Sequence, residues 1–196
     1  MSIPSRKRTL NPSRPPAASA AQHPVYWTVV SCDGWQLPIA AGPGGLRYVG
    51  GQNQSVSDLA EWAAARYPAS PFIRDDERMR PYARQLLEYL RGERTAFDLP
   101  LDVQGTPFQR AVWEALRSVS YGSTRSYSDI AEAVGKPSAV RAVGAAIGAN
   151  PVLIAIPCHR IVGKNGALTG FRGGLEMKRK LLEMELGEAD APVKVR

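Results

Sequence analysis

The spacing of apolar residues divides the chain into a β-rich part followed by a helical part. Residues 25–49 hold three short β-branched or aromatic runs separated by glycine-containing turn signals, which predicts an antiparallel meander. Apolar residues then recur at helical spacing over 56–66 and over 80–92. We interpret 75–78 as a solvated approach to the second of these helices and 97–101 as an extended segment that leaves the first domain.

Compact helices are predicted from Thr106, where a threonine followed by proline is typical of a helix start. A capping-box pattern at Ser126 predicts a second helix. A glycine–lysine–proline break at 135–137 ends it, and Ser138 is expected to cap a third helix over 139–149. The predicted buried face of the second helix comprises Ile130, Ala133 and Val134. Two short helices joined by a three-residue break predict a helix-turn-helix.

The helix over 139–149 has an unusual composition for a DNA-reading helix. Arg141 is its one long polar side chain, whereas a helix that reads bases normally carries several. Gly144 and Gly148 each weaken a helix by roughly 1 kcal/mol relative to alanine. Such glycines indicate close approach, either of another helix or of a narrow groove of DNA that is gripped without base reading. In the second case Arg141 would enter the base stack as a wedge.

The last helix is predicted over 175–186, and a carboxylate lies inside its apolar arc. Glu185 falls among the leucines of that arc, and a buried carboxylate needs a partner. His159 is the attractive candidate, and the alternative is that Glu185 bends to solvent. Lys178 lies on the same arc, and we expect its amine to extend out to water.

Composition is that of an ordinary globular protein: 196 residues, 44% hydrophobic, with no apolar run near the ~20 residues of a membrane span. The two cysteines, Cys32 and Cys158, are far apart and do not form a disulfide framework. We therefore expect an intracellular, cytoplasmic protein without a membrane partner. A zinc site is not expected, because few cysteine and histidine ligands are available, and we expect no metal and no cofactor.

The net charge of +7 is unevenly distributed. Residues 1–24 carry four basic side chains, no acidic ones and no periodicity, which predicts a disordered basic tail. Residues 104–185 carry 11 basic and 6 acidic side chains. This excess suits a polyanionic partner, and the alternative interpretation is that it only serves solubility.

The richest chemistry lies at Cys158-His159, where an apolar run ends at a proline. A thiol beside an imidazole is what a nucleophilic cysteine needs, because the thiolate is the reactive species. The alternative is a small buried hydrophobe in a core. Neighbours on a strand point to opposite faces, so cooperation between the two requires a kinked backbone or an intervening water.

These residues resemble the active-site signature of the O6-alkylguanine-DNA alkyltransferases. The signature is Pro157-Cys158-His159-Arg160-Ile161, preceded by Asn150-Pro151. Further matches follow the same order along 97–185, including Gly105-Thr106-Pro107-Phe108-Gln109, Val112-Trp113, Tyr121-Gly122, Ser126-Tyr127, Arg141-Ala142-Val143-Gly144 and Gly173-Gly174-Leu175. Residues 25–96 resemble the family only in general layout.

The resemblance implies a role for each matching residue. Cys158 would accept the alkyl group, His159 would act as base through a water, and Glu185 would orient His159. Asn150 would be the hinge asparagine, Arg141 would fill the gap left by an extruded guanine, and Tyr127 would help rotate the nucleotide and donate a proton to it. The implied DNA contacts are Tyr127, Ala139, Arg141, Ala142 and Gly144. The implied pocket comprises Ile147, Pro157, Ile161, Thr169, Phe171, Arg172 and Gly173. Phe171 departs from the tyrosine of many members, which keeps stacking and loses a hydroxyl.

The implied fold is a two-domain α+β protein. An N-terminal α/β domain over 25–98 would hold a small antiparallel, RNase H-like sheet. A mostly helical domain over 104–187 would hold a winged-helix-like helix-turn-helix, and 188–196 would form a tail.

The implied function is DNA repair by irreversible, single-turnover transfer of an alkyl group from O6-alkylguanine, and more weakly O4-alkylthymine, to Cys158 after nucleotide flipping. The implied partner is double-stranded DNA, bound through the minor groove without sequence reading by a monomer, with cooperative assembly left open. The protein would act in the cytoplasm at the nucleoid, or in the nucleus of a eukaryote. The alternatives are an alkyltransferase-like protein that binds lesions without transfer, a helix-turn-helix regulator and a cysteine hydrolase.

Overall fold

The computed structural model of the chain describes residues 23–52 and 54–187. The disordered tail predicted over 1–24 therefore lies outside the described residues except for His23 and Pro24, and so does the tail predicted over 188–196. The two-part α+β architecture predicted from the sequence is present, with strands in the first half and helices dominating the second.

The first half is built on a four-stranded sheet. Strands β1 (Val25–Cys32), β2 (Trp35–Gly42) and β3 (Gly45–Val49) form the predicted antiparallel meander. The sheet as a whole is mixed rather than antiparallel, because β4 (Phe72–Arg74) pairs parallel to β1 at the edge, giving the order β3-β2-β1-β4. Helix α1 (Val56–Arg66) explains the difference, since it carries the chain back across the sheet before β4 begins.

Helices cover both faces of this sheet. Leu59 and Ala63 of α1 pack on one face, while α2 (Asp76–Leu90) packs on the other through residues such as Met79 and Leu86. Strand β2 is therefore buried on both sides and shows no alternation of buried and exposed residues. The segment predicted as a solvated approach at 75–78 is exposed at 76–78, as expected, but α2 already begins at Asp76. It contains the helix start, because the Asp75 side chain accepts a hydrogen bond from the Arg78 backbone and caps α2.

Three helices open the second half: α3 (Pro107–Arg117), α4 (Tyr127–Ala133) and α5 (Val140–Gly148). The capping boxes at Thr106 and Ser126 are both formed, as the sequence indicated. The predicted Ser138 cap is wrong, because Ala139 occupies the N-cap position of α5 and no side chain caps it. The break between α4 and α5 spans residues 134–139, twice the length of the predicted one.

The buried face of α4 is rotated from the one predicted. Ile130 and Ala131 are buried, Val134 is half-buried, and Ala133 is exposed. At 100° per residue, Ala133 lies roughly 110° from the centre of the arc formed by the other three. Helices α3 and α5 pack over that arc and leave Ala133 in solvent.

The segment that leads to the candidate cysteine is irregular. Residues 152–156 form buried turns, anchored by a parallel bridge between Val152 and Val49 at the end of β3. A 3₁₀ turn (Cys158–Arg160) follows. Strand β5 (Arg125–Ser126) then pairs with β6 (Ile161–Val162), and α6 (Leu175–Leu186) ends the described chain at the predicted position.

One hydrophobic core joins the two halves. Its buried side chains come from the sheet and α2 on one side and from α3, α4, α5 and α6 on the other, and Cys158 is among them. Side chains of both domains therefore belong to the core cluster that contains Cys158. Within residues 23–52 and 54–187, no helix is long and apolar enough to cross a membrane.

Candidate active site

Cys158 is held by the asparagine that follows α5. The Asn150 amide nitrogen donates to Cys158 Sγ at 3.0 Å and to the Ile156 carbonyl at 2.9 Å, while its amide oxygen accepts from the Val152 backbone at 2.9 Å. Asn150 is fully buried and Cys158 is 3% exposed. One side chain thus fixes both ends of the turn that presents the thiol.

The environment of the thiol favours the protonated form at rest. Burial raises the pKa of Cys158, while the hydrogen bond from Asn150 and the positive charges of Arg172 and Lys178 act in the opposite direction. The net pKa lies above the ordinary value of a cysteine. Reaction as a thiolate therefore requires a base that takes the proton when substrate is present.

Cys158 and His159 are neighbours in a 3₁₀ turn rather than in a strand, where their side chains would point to opposite faces. Cys158 and His159 lie in a tight turn, the kinked backbone that the sequence analysis required as one of two alternatives. The His159 ring is fully buried, and its Nε2 lies 2.7 Å from Glu185 Oε1. Among the described residues, its Nδ1 has no hydrogen-bond partner. The contact between His159 and Glu185 anticipated from the arc of α6 is therefore present.

Glu185 is the centre of a dense set of donors. Arg160 donates to it through Nε at 2.9 Å and through a terminal nitrogen at 3.0 Å, and the Gly122 backbone donates at 3.2 Å. The Tyr89 hydroxyl donates to Oε1. Burial alone would raise the pKa of Glu185, but the hydrogen bond and charge interaction with His159, followed by the hydrogen bonds from Arg160 and Tyr89, hold it at about 2. Glu185 is thus a carboxylate throughout the neutral range.

Burial lowers the pKa of His159 below its ordinary value, against the raising effect of Glu185. The ring is therefore neutral at neutral pH. Since Nε2 faces a carboxylate that can only accept, the proton of the neutral ring is assigned to Nε2. Nδ1 is left with a lone pair and can act as a base.

Sequence reasoning missed two members of this set. Arg160 appeared only as part of the motif, and Tyr89 was not singled out on its helix. Arg160 could have been found from the charge of Glu185, because a buried carboxylate beside a neutral histidine still needs a cation. For Tyr89 the signal is weaker, since a tyrosine on an apolar helical face reads as an ordinary core residue.

Lys178 contradicts its predicted position. The side chain is fully buried rather than extended to water, and its amine donates to the Ile161 carbonyl and, at 2.7 Å, to the Thr169 carbonyl. These two acceptors offset part of the cost of burying the charge. Burial lowers the pKa of Lys178 to about 8, and the nearby Cys158 acts to raise it. The lysine ties two predicted pocket residues together beside the thiol.

Tyr127 connects the start of α4 to the loop before α6. The Thr169 hydroxyl donates to its phenol oxygen at 3.2 Å, and the phenol lies 3.5 Å from the Gly170 carbonyl. On its other side, a Cβ added at Gly144 would meet the Tyr127 ring at 3.7 Å. The structure thus places Tyr127 between the α5 surface and the predicted pocket loop, and among the described residues no hydrogen bond joins it to Cys158.

The predicted DNA contacts on α5 form an accessible strip. Arg141 and Ala142 are exposed, and Ala139 and Gly144 are half-buried. The opposite face of α5 carries Val143, Ala146 and Ile147 and is buried in the core. The helix therefore presents small residues and one arginine to solvent.

The predicted pocket residues surround the 3₁₀ turn. Pro157, Ile147 and Ile161 are buried, and the Phe171 ring lies edge-on to His159 with centroids 6.4 Å apart. Gly173 packs closely on the first domain, where a Cβ added at Gly51 would lie 2.7 Å from the Gly173 Cα. A Cβ added at Gly173 would itself collide with Met177 Sδ, so neither position has room for a side chain.

Arg172 contacts both domains rather than only the pocket. Its guanidinium donates to the carbonyls of Asn150, Val49 and Pro151 at 2.8 to 3.0 Å. It also donates to the Tyr48 hydroxyl at 3.1 Å and to the Gln54 side chain at 2.9 Å. The loop before α6 is thereby fastened to β3 and to the residue that holds Cys158.

Comparison with known families gives a match to each half of the chain. Residues 25–103 match the family model described as 6-O-methylguanine DNA methyltransferase, ribonuclease-like domain. Residues 107–187 match the model described as 6-O-methylguanine DNA methyltransferase, DNA binding domain. The two matches meet near the linker that the sequence analysis placed between its domains.

Individual relatives and solved structures agree with these matches. The inducible methylated-DNA–protein-cysteine methyltransferase of Bacillus subtilis (strain 168) is 52% identical over 171 residues, which cover 86% of this chain and 96% of the relative. The methylated-DNA–protein-cysteine methyltransferase of Mycobacterium tuberculosis (strain H37Rv) is 53% identical over 107 residues, 55% of this chain and 65% of the relative. A crystal structure of Mycobacterium tuberculosis OGT in complex with DNA superposes with a TM-score of 0.71 at 38% identity, covering 86% of this chain and 96% of that one.

Proposed function

We propose, from the premise that this chain belongs to the 6-O-methylguanine DNA methyltransferase family, that it repairs alkylated DNA by transferring the alkyl group to its own Cys158. The observation that carries the proposal is the buried Cys158 thiol, held by Asn150 at 3.0 Å on the same turn that presents His159 to Glu185. The Bacillus subtilis relative, 52% identical over nearly its whole length, is a methylated-DNA–protein-cysteine methyltransferase.

The proposed chemistry is a one-step displacement. The thiol proton passes through a water to His159 Nδ1, and Glu185 stabilises the imidazolium that forms. The thiolate sulfur attacks the alkyl carbon, an S–C bond forms, and the bond from that carbon to guanine O6 breaks with its electron pair on the guanine. A proton donated by Tyr127 neutralises the departing base. The positive charge of Lys178 near the sulfur favours the thiolate during attack.

The thioether product has no route back to a thiol in this mechanism, because none of its steps regenerates the sulfhydryl. We therefore propose a single, irreversible turnover on O6-alkylguanine, with O4-alkylthymine as a weaker substrate. Cys158 is 3% exposed, so a base must leave the duplex to reach it, at a cost of a few kcal/mol. Arg141 on the exposed strip of α5 would fill the vacated position from the minor groove.

The test uses duplex DNA that contains one O6-methylguanine. After mixing under reducing conditions, intact-protein mass spectrometry is expected to show one added methyl group, with one equivalent of lesion consumed, and peptide mapping is expected to place it on Cys158. Cys158→Ala should bind the duplex and gain no mass. Cys32→Ala is the matched control, because Cys32 lies half-buried at the end of β1 and takes part in none of the hydrogen bonds of the site, so its loss should leave the transfer unchanged.

Three outcomes would contradict the proposal. Multiple turnovers per protein would indicate a hydrolase, and tight binding without a mass change would indicate a lesion-recognition protein. A methyl group found on Cys32 would show that the buried site is not the acceptor.

A further inference from the structure

Tyr89 brings the first domain into the chemistry of the second. It lies near the end of α2, is fully buried, and precedes Glu185 by 96 residues in the sequence. Its hydroxyl donates to Glu185 Oε1 and lies 3.2 Å from His159 Nε2. Since His159 Nε2 and Glu185 Oε1 are themselves 2.7 Å apart, the three polar atoms form a closed triangle.

Counting protons in this triangle fixes the tautomer of His159. Glu185 is a carboxylate and only accepts. Burial, followed by the charge of Glu185 and the hydrogen bond to it, raises the pKa of Tyr89 well above its ordinary value, so the phenol keeps its proton. The Tyr89 hydroxyl donates that proton to Glu185, so its oxygen can only accept a hydrogen bond from His159. Both neighbours of Nε2 are then acceptors, and the ring must carry its hydrogen there.

We propose that Tyr89 is a positioning residue for transfer to Cys158: its hydroxyl, with Glu185, holds His159 with the proton on Nε2 and limits the charge that Glu185 presents to the ring, so that Nδ1 stays free to accept the thiol proton. The inference rests on the proposed function. It makes the first domain a contributor to the active site rather than only a scaffold.

The second part of this role predicts a pH effect. The titratable and charged groups around His159 come from four places: Cys158 and Arg160 on its own turn, Glu185 and Lys178 on α6, Tyr89 on α2, and Tyr121 beside Glu185. Of these, Tyr89 and Arg160 donate hydrogen bonds to Glu185 and so reduce the negative charge that the carboxylate presents to His159. When the phenol is removed, the carboxylate stabilises the imidazolium more strongly, and the pKa of His159 rises. A larger fraction of the protein then has Nδ1 already protonated at mildly acidic pH and unable to act as base.

The experiment compares Tyr89→Phe with wild type in single-turnover transfer between about pH 5.5 and pH 8.5. We expect the acid limb of the rate profile to move up by about one pH unit, with about tenfold slowing on that limb near pH 6 and about threefold slowing or less near pH 8.5. The slowing should be the same on methylated duplex and on free O6-benzylguanine, because the defect lies in the chemistry. Affinity for undamaged duplex should be unchanged.

Tyr82→Phe is the matched control. Tyr82 lies on the same helix, half-buried beside Met79 and Arg78, and the change removes a hydroxyl at a distance from the site. Its profile should overlay that of wild type. Misfolding does not confuse the result, since each molecule reacts once: the amplitude of methyl uptake counts folded protein, and the rate constant reports the chemistry of those molecules.

Two results would overturn the inference: an acid limb in Tyr89→Phe that coincides with wild type, or slowing confined to the duplex substrate. Either one leaves the proposed function standing, provided that wild type takes up one methyl group and Cys158→Ala takes up none. If wild type itself gains no methyl group, the proposed function has failed, and the role of Tyr89 fails with it.

Discussion

Two regions of the molecule are built in opposite ways. The carboxylate cluster, formed by Tyr89, His159, Arg160 and Glu185, is buried, and each charge within it meets an opposite charge or a hydrogen-bond donor. The α5 strip, formed by Ala139, Arg141, Ala142 and Gly144, has two exposed and two half-buried residues. The first region finds its partners inside the protein, whereas the second offers a surface to a partner outside it.

The difference separates chemistry from recognition. Buried charges are costly unless they are paired, so the carboxylate cluster must be complete before any ligand arrives. A strip of small residues with one arginine makes few contacts in the free protein, and its contribution to binding depends on how closely another surface approaches it. Substitutions in the cluster should therefore lower stability and reaction rate together, whereas substitutions in the strip should weaken the encounter with DNA without loss of stability.

The largest effect is expected for Glu185→Gln. The amide leaves the buried Arg160 guanidinium without its counter-charge, which should lower the free energy of unfolding by about 3 to 5 kcal/mol. It also removes the anion that stabilises the imidazolium of His159, and transfer should slow by about 100-fold or more. Denaturant unfolding and single-turnover kinetics measure the two effects. Glu183→Gln is the control on the same helix, where the partly exposed pair with Arg179 predicts a loss of about 1 kcal/mol or less.

The same residue predicts how stability depends on pH. The pKa of Glu185 is lowered from 4.5 to about 2 in the folded protein. A lowered carboxylate pKa contributes stability above the unfolded value, and that contribution is lost as the pH falls from about 4.5 towards 2. The shift corresponds to about 3 kcal/mol at most. Glu185→Gln should therefore lose less stability between pH 7 and pH 3 than wild type, and equal losses would place the acid sensitivity elsewhere.

Local signals in the sequence were sufficient for much of the fold. The spacing over 56–66 gives α1 its bounds, the capping boxes at Thr106 and Ser126 are formed, and α6 spans its predicted residues. The position of Glu185 inside an apolar arc led correctly to His159, because burying a carboxylate without a partner is prohibitive. These inferences depend only on residues close in sequence or on a strong energetic demand.

Contacts between distant segments were beyond such signals. Lys178 was expected in water because lysines rarely bury, and only the fold shows that the Ile161 and Thr169 carbonyls converge on it. The parallel pairing of β4 depends on the path of α1, and the Tyr89 contact depends on how the two halves pack. None of these leaves a periodic pattern along the chain. The catalytic roles drawn from the resemblance stay predictions until the transfer assay is done.

A smaller effect is expected at Arg172, which joins the loop before α6 to the first domain. Arg172→Ala removes five hydrogen bonds, which go to Tyr48, Val49, Gln54, Asn150 and Pro151, and it leaves backbone carbonyls without donors. We expect a loss of about 2 to 3 kcal/mol in the free energy of unfolding. Arg179→Ala, a partly exposed arginine on α6, should lose about 1 kcal/mol or less. Equal losses would show that Arg172 lines the pocket without fastening the domains.

The α5 strip is probed next by Arg141→Ala. The side chain is exposed, so its loss should leave the free energy of unfolding within about 0.5 kcal/mol of wild type. Transfer from methylated duplex should slow by about tenfold, because the gap left by the flipped base is no longer filled. Transfer from free O6-benzylguanine should not change. A loss of equal size on both substrates would remove Arg141 from base extrusion and assign it to the chemistry.

The smallest effect, and the sharpest test of the strip, is expected at Gly144. A Cβ added there meets the Tyr127 ring at 3.7 and 3.8 Å, which is ordinary van der Waals contact, so the fold has room for alanine. Gly144→Ala should therefore raise the free energy of unfolding by about 0.5 to 1 kcal/mol through better helix propensity.

If Gly144 allows the minor groove of DNA to approach the helix closely, Gly144→Ala should bind duplex DNA about threefold or more weakly while it gains stability. Gly148→Ala is the control at the last residue of α5, where an added Cβ meets nothing within 4 Å, and it should leave DNA affinity within about twofold. Unfolding and DNA titrations on the two variants decide between the two explanations of these glycines. If Gly144→Ala loses stability, the glycine serves packing within the protein, and if it binds DNA as well as Gly148→Ala does, the strip does not approach DNA closely at that point.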